Sequence, residues 1–148
     1  MWNVRIYILT EQKGNTIERG RAAYELETER ANGRTSAIDD HVGLVEWNRN
    51  GATLEGLIGA LNRLNSGMDI SVSLFTEAPL INSQIMARNM EKWEKAGYKT
   101  SKGEPVKYAG LWETINELLK EKVKGGITSC DRVPLEKQKI LEEVIRKE

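Results

Sequence analysis

The sequence contains very little cysteine and histidine, and each scarcity excludes a class of site. Its one cysteine, Cys130, excludes an internal disulfide framework and a metal site built from cysteines. Its one histidine, His41, falls in a predicted strand and argues against zinc chemistry based on histidine or a catalytic triad that contains it. Any catalytic chemistry must therefore rest on other residue types.

Long hydrophobic runs are also absent. No apolar stretch approaches the roughly 18 residues that a membrane helix needs. Residues 1–9 alternate like a strand and lack the charged start and the cleavage site of a signal peptide. We therefore expect a cytoplasmic protein with no membrane partner.

The length and the charge set further limits. The chain has 148 residues, which suits a single domain spanning residues 1–148. Its 22 lysines and arginines balance 22 acidic residues, so the formal net charge is zero. Attraction of nucleic acid by the whole surface is thus excluded, and any such binding must come from a local basic patch.

Hydrophobic periodicity predicts the element order β-β-β-α-β-α-α-β-α. Apolar residues alternate in the first strand, and leucines recur at helical spacing in the first helix, for which Asn50 is the predicted N-cap. This order predicts a mixed sheet with helices on its faces, an α/β fold. The predicted segments are strands 3–11, 21–30 and 35–48 with a turn at 31–33, helix 50–67, strand 68–77, one or two helices within 78–97, helix 110–126, strand 127–133 and a helix from Pro134 onward.

Residues 91–112, which we call the basic handle, stand out in this neutral chain. They end one predicted helix, form a glycine-containing turn and open the next helix. Lysines neutralise phosphates, and aromatic rings pack on sugars or bases, so the handle predicts contact with nucleic acid. The candidate binding residues are Lys92, Trp93, Lys95, Tyr98, Lys99, Lys102 and Lys107.

The handle resembles a segment of the type 1 ribonucleases H, and the flanking strands and helices resemble that family more weakly. The resemblance implies a ribonuclease H-like five-stranded mixed sheet and a handle that grips the backbone of an RNA–DNA hybrid. The matching run comprises Trp93, Gly97, Tyr98, Lys99, Thr100, Gly103, Pro105, Val106, Lys107, Leu111 and Trp112.

The same resemblance implies a site in which four carboxylates hold two magnesium or manganese ions. The metals activate water and stabilise the leaving oxygen of a phosphodiester. Alignment places Leu9 and Thr53 at the first two acid positions, where neither side chain can replace a carboxylate. Glu77 matches the third position and is the predicted catalytic residue and metal ligand.

Four weaker candidates lie near the positions where acids are missing. Glu11 follows Leu9 by two residues on the same strand face, and Glu55 lies about 200° round the helix from Thr53. The loop that carries the family's histidine is absent, which leaves Asp131 and Glu136 as candidates for the fourth acid.

These residues predict a degenerate ribonuclease H-like domain that binds nucleic acid through the basic handle and has lost most or all hybrid cleavage. One alternative is an active enzyme that uses Mg²⁺ or Mn²⁺ with relocated carboxylates, which requires Glu77 to lie near two other acids. Another is a protein-interaction domain without a nucleic-acid role, which the neutral net charge suits. The sequence leaves the oligomeric state open.

Overall fold

The computed structural model describes residues 2–29 and 32–147. In this part of the chain the strands and helices follow the predicted order, and residues 78–97 form two helices. None of the helices described there is long and apolar enough to cross a membrane. Arg30, the predicted end of the second strand, and residue 31, the predicted start of the turn, lie outside the described residues. The elements are β1 (Trp2–Thr10), β2 (Glu18–Glu29), β3 (Thr35–Trp47), α1 (Arg49–Leu61), β4 (Ile70–Phe75), α2 (Pro79–Met86), α3 (Asn89–Lys95), α4 (Ala109–Lys122), β5 (Ile127–Asp131) and α5 (Leu135–Arg146).

Strand β1 lies at the centre of the sheet, whose strand order is β3-β2-β1-β4-β5. It pairs antiparallel with β2 and parallel with β4, and β4 pairs parallel with β5. The predicted mixed five-stranded sheet is therefore confirmed. Because β1, β4 and β5 run in the same direction, their carboxyl ends meet at one edge of the sheet, where open α/β sheets commonly bind ligands.

Helices cover both faces of the sheet, so β1 is buried on two sides. Val4, Ile6 and Ile8 pack in the larger core with buried side chains of α1, α2 and α4. Tyr7 and Leu9 pack in a smaller core with side chains of α5. The alternation seen in the first strand thus separates two cores, as successive side chains of a strand point to opposite faces.

Helix α1 begins earlier than predicted, and this correction matters for the site. The N-cap is Asn48 and not Asn50: its Oδ1 accepts the Gly51 N–H at 3.0 Å, and its backbone is extended. β3 ends at Trp47, one residue before the prediction, and a Cβ atom on Gly51 would lie 2.5 Å from the Trp47 ring. Glycine at position 51 is therefore what lets the helix begin against this tryptophan.

Candidate functional site

The basic handle contains a hydrogen-bonded hairpin that follows α3. The Thr100 N–H donates to the Glu104 carbonyl at 2.7 Å, and the Val106 N–H donates to the Tyr98 carbonyl at 2.9 Å. Tyr98 has a positive φ of 58°, which turns the chain sharply after the helix. The turn that was predicted from its glycines is thus held by backbone hydrogen bonds.

The aromatic residues of the handle anchor it to the body of the protein. The ring of Trp93 packs against the fully buried Trp112 with 5.3 Å between ring centroids. The Tyr98 hydroxyl accepts a hydrogen bond from Asn116 Nδ2 at 3.0 Å. Both predicted binding aromatics are therefore half-buried, and their contact with nucleic acid stays a prediction.

The lysines of the handle are exposed to solvent. Within residues 2–29 and 32–147, none of the five forms an ion pair with a carboxylate. Two of the three glutamates of the handle have other partners, since Glu91 pairs with Arg88 at 3.2 Å and Glu94 pairs with Lys120 of α4. The field of the handle is therefore less diluted by its glutamates than the sequence suggests.

A cavity of about 580 Å³ lies where β1 and β4 end, between the start of α1 and the segment that leads into α5. Leu9 and Thr53, which occupy the first two acid positions of the alignment, both line it. Its charged lining residues comprise three cations and two carboxylates, namely Lys13, Arg49, Arg132, Glu77 and Asp131. The cavity thus occupies the place that the resemblance assigns to catalysis, with a different set of charges.

Glu77 is held in an ion pair at the wall of this cavity. Arg132 Nη2 donates to its Oε1 at 2.8 Å, and the Val133 N–H donates to its Oε2 at 2.9 Å. Partial burial alone would raise the pKa of Glu77, but these two hydrogen bonds, together with the charges of Arg132 and Arg49, outweigh burial and lower it. The carboxylate is therefore ionised near neutral pH and already engaged with a cation.

Only one other candidate acid shares the cavity with Glu77, among the residues that the structure describes. Asp131 lines it, and its Oδ1 accepts the Arg132 N–H at 2.8 Å. Glu11 accepts the Arg21 N–H at 2.8 Å, and Glu55 accepts the Trp47 Nε1–H at 3.1 Å. Glu136 is exposed in the first turn of α5. Glu11, Glu55 and Glu136 do not line this cavity.

The three cations of the cavity were not among the predicted site residues. Arg49 lies four residues before Thr53 on α1, so the two side chains share one face of the helix. This spacing was the sequence signal that could have identified Arg49 as a site residue. Arg49 Nη1 donates to the Glu77 carbonyl at 3.2 Å. Lys13 and Arg132 come from loops, and no periodicity in the sequence indicates where a loop side chain will lie.

This donor set does not fit a pair of divalent metal ions. Magnesium requires oxygen ligands, and two such ions need several carboxylates to balance their charge. Here one of the two carboxylates is paired with Arg132, and three cations would repel a metal. No group of three histidine, cysteine or acidic side chains placed to hold a metal occurs among residues 2–29 and 32–147.

Comparison with known proteins points to one fold and one group of relatives. No family model matches the chain. The ribonuclease H of Clostridium botulinum (strain Hall) is 32% identical over 78 residues, which cover 49% of this chain and 51% of that protein. The chain spans about half the length of this curated relative. The resemblance to ribonucleases H is therefore confirmed over half of the chain.

Solved structures resemble the whole chain. A type 1 ribonuclease H with the type 2 active-site motif has a TM-score of 0.72 at 20% identity, with coverage of 97% of this chain and 70% of that chain. The foamy viral protease–reverse transcriptase in complex with RNA/DNA hybrid has a TM-score of 0.65 at 11% identity, with coverage of 99% and 19%. The chain has the ribonuclease H fold.

Proposed function

We propose that residues 1–148 act as a single ribonuclease H-like domain that binds an RNA–DNA hybrid or a similar duplex through the basic handle, with hybrid cleavage lost or much reduced. One observation carries the proposal: the handle presents exposed lysines on a fixed hairpin, whereas the cavity holds more cations than carboxylates. The first region suits binding to a phosphate backbone, and the second lacks the acids that cleavage needs.

The choice of a hybrid as ligand rests on the relatives. The similar curated protein is named ribonuclease H, and a structure with the same fold was determined in complex with RNA/DNA hybrid. Lysines on a fixed hairpin suit a ligand that is recognised by its shape and its backbone more than by its base sequence. We therefore expect binding that depends strongly on salt and weakly on sequence.

An active metal-dependent ribonuclease H is the second candidate, and one observation favours it. Glu77 and Asp131 line the same cavity, which supports a site with two acids, one fewer than this candidate requires. The ion pair between Glu77 and Arg132 counts against it, because the arginine would have to leave before a metal could bind.

Binding is tested by reversing charge on the handle. The variant Lys99→Glu, Lys102→Glu, Lys107→Glu should lose affinity for a fluorescently labelled RNA–DNA hybrid, measured by anisotropy at low salt. A matched control reverses three exposed lysines elsewhere: Lys124→Glu, Lys139→Glu and Lys147→Glu. The control changes net charge equally and should retain most of the affinity.

Two results would overturn the binding proposal. Equal losses in the two triple variants would mean that overall charge, and not the handle, governs binding. A wild-type protein that leaves the hybrid free at low salt would favour the protein-interaction alternative.

Cleavage is tested with the same hybrid in Mg²⁺ and then in Mn²⁺, beside Glu77→Gln. We expect no metal-dependent cutting by either protein while binding persists. Metal-dependent cutting that disappears in Glu77→Gln would contradict the proposed loss of cleavage and establish the active alternative.

A further inference from the structure

The cavity at the carboxyl ends of β1 and β4 carries uncompensated positive charge. Arg132 and Glu77 neutralise each other in their ion pair. Lys13 and Arg49 form no ion pair in the described part of the chain, and the other carboxylate that lines this cavity is that of Asp131, while Glu11 and Glu142 line a neighbouring pocket with Lys13. A cleft with this excess of positive charge attracts an anion more readily than a cation.

The cavity also offers hydrogen-bond donors that suit an anion. Thr53 is almost fully buried on its wall, and the Thr53 hydroxyl makes no hydrogen bond within residues 2–29 and 32–147. Arg49 uses Nη1 for the Glu77 carbonyl and its backbone N–H for the Gly14 carbonyl, and no protein acceptor takes its other guanidinium N–H groups in those ranges. Both residues belong to the first turns of α1, where the helix dipole favours negative charge.

The cavity and the handle are joined by direct contacts. The Tyr108 hydroxyl of the handle donates to Asn48 Oδ1 at 2.9 Å, and Asn48 immediately precedes Arg49. Lys107 Nζ lies 5.4 Å from the centroid of the Tyr108 ring. One short chain of contacts thus connects a lysine of the handle with an arginine of the cavity. The cavity therefore lies beside the base of the handle.

We propose that this cavity binds a phosphate group through Lys13 and Arg49, with the Thr53 hydroxyl as a further donor, in the place that the resemblance assigns to metal ions. Guanidinium and ammonium groups form charge-assisted hydrogen bonds with phosphate oxygens. The position beside the handle favours a backbone phosphate of bound nucleic acid, and this choice of source rests on the proposed function. A free phosphate offers the same chemistry.

The first experiment uses inorganic phosphate and needs no nucleic acid. Phosphate is titrated into ¹⁵N-labelled protein, and the backbone amide signals of Arg49 and Thr53 should shift and saturate. The double variant Lys13→Gln, Arg49→Gln should bind about tenfold more weakly or not at all. The control Arg34→Gln, Lys139→Gln, which neutralises one exposed arginine and one exposed lysine elsewhere, should behave like the wild type.

Two results of this titration would overturn the site. Signals of Arg49 and Thr53 that do not respond to phosphate exclude binding there. Selective broadening of the Glu77 and Asp131 signals by Mn²⁺ would put a metal ion where we put phosphate. If the double variant fails to fold, Arg49→Lys keeps the charge and should retain most of the phosphate response, while Lys13→Gln alone should weaken it.

The second experiment identifies the source of the phosphate. Hybrid affinity is measured at several salt concentrations, and the slope of log K against log[salt] reports how many phosphates are neutralised. The double variant at Lys13 and Arg49 should reduce this slope by about 0.9, the value for one phosphate, and the control should leave it unchanged. A reduced slope supports a backbone phosphate of the hybrid as the ligand of the cavity.

The two experiments separate failure of this inference from failure of the proposed function. A phosphate response with an unchanged slope supports the site and gives it a free phosphate as ligand. An unchanged slope without a phosphate response overturns the inference and leaves binding by the handle intact. If the wild type binds no hybrid at all, the proposed function fails, and the phosphate titration alone decides the inference.

Discussion

The basic handle and the cavity are neighbouring regions of one protein, and they differ in what they keep of the ribonuclease H pattern. The handle keeps its lysines, its hairpin and its tryptophan anchor. The cavity has leucine and threonine at two acid positions, and arginine pairs with the acid at the third. Under the proposed function, binding and cleavage are lost separately, because a metal site needs its whole set of ligands, whereas each lysine contributes to binding by itself.

Packing explains why the cavity differs more than the handle from the ribonuclease H sequence pattern. Leu9 is 6% exposed and belongs to the smaller core with Val133 and Leu141. A carboxylate at this position would be buried against apolar side chains unless a metal or a cation neutralised it. Once the metal ligands are incomplete, an apolar residue here stabilises the fold. The lysines of the handle are solvated and carry no such cost.

The largest expected effect comes from removing the anchor of the handle. Trp112→Ala empties a fully buried site and should lower the free energy of unfolding by about 3–5 kcal/mol, as urea denaturation would measure. Trp93→Ala is the comparison, because Trp93 is only half-buried and should cost less. Equal costs for the two variants would mean that the handle is an integral part of the core and not a projection fixed at its base.

Restoring an acid to the cavity should have the next largest effect. Leu9→Asp introduces a carboxylate into the smaller core and should lower the free energy of unfolding by about 2–4 kcal/mol at neutral pH. This loss of stability should be smaller at acidic pH, where the introduced carboxyl is protonated. Leu9→Asn, which has a similar size and no charge, should show no such dependence on pH. A stable Leu9→Asp protein at neutral pH would mean that Lys13 or Arg132 compensates the charge.

These expectations also mark what the sequence could and could not predict. Alternation in β1 and the matching run of the handle were sufficient for the fold and for the hairpin, because both signals are local. The absence of acids at Leu9 and Thr53 was equally visible. The ion pair of Glu77 could not be predicted from the sequence, because Arg132 lies 55 residues away and only the parallel pairing of β4 with β5 brings the two together.

The start of α1 shows the same limit at a single residue. Asn48 and Asn50 are both good N-cap residues, and local propensity does not choose between them. The choice is made by contacts with distant parts of the chain, since the Tyr108 hydroxyl donates to Asn48 Oδ1. Glu55 of α1 accepts the Trp47 Nε1–H and does not line the cavity.

A smaller effect on stability concerns α5, the helix that contributes Gln138 to the cavity. Lys137 of α5 pairs with Glu25 and Glu27 of β2, and the side chain of Glu25 is 2% exposed. Burial, helped by the neighbouring Asp39, raises the pKa of Glu25 to about 7 despite the contact with Lys137. Below about pH 4.5 this carboxyl is protonated in both states. As pH rises from there to about 7, the unfolded chain releases the proton and the native protein keeps it, so stability falls.

The measurement compares the free energy of unfolding of the wild type with that of Glu25→Gln over pH 4 to 8, a range that spans the ordinary pKa of glutamate and the raised pKa of Glu25. The wild type should lose on the order of 2–3 kcal/mol relative to the variant across this window. Glu27, whose pKa is lowered by its hydrogen bonds with Lys137 and Arg5 despite burial, titrates at lower pH and does not mask the effect. Parallel stability curves for the two proteins would show that folding leaves the pKa of Glu25 unchanged.

The smallest expected effect comes from cutting the link between the two regions. Tyr108→Phe removes the hydrogen bond to Asn48 and keeps the ring that packs edge-on against Trp47 at 5.6 Å. The free energy of unfolding should fall by only about 1 kcal/mol, because Asn48 still caps Gly51. Asn48→Ala removes both hydrogen bonds and should cost more, by about another 1 kcal/mol.

If the handle and the cavity bind one ligand together, Tyr108→Phe should also weaken hybrid binding modestly while leaving the inorganic phosphate titration unchanged. An unaltered hybrid affinity would mean that the two regions act independently, and the comparison between them would then describe two separate surfaces.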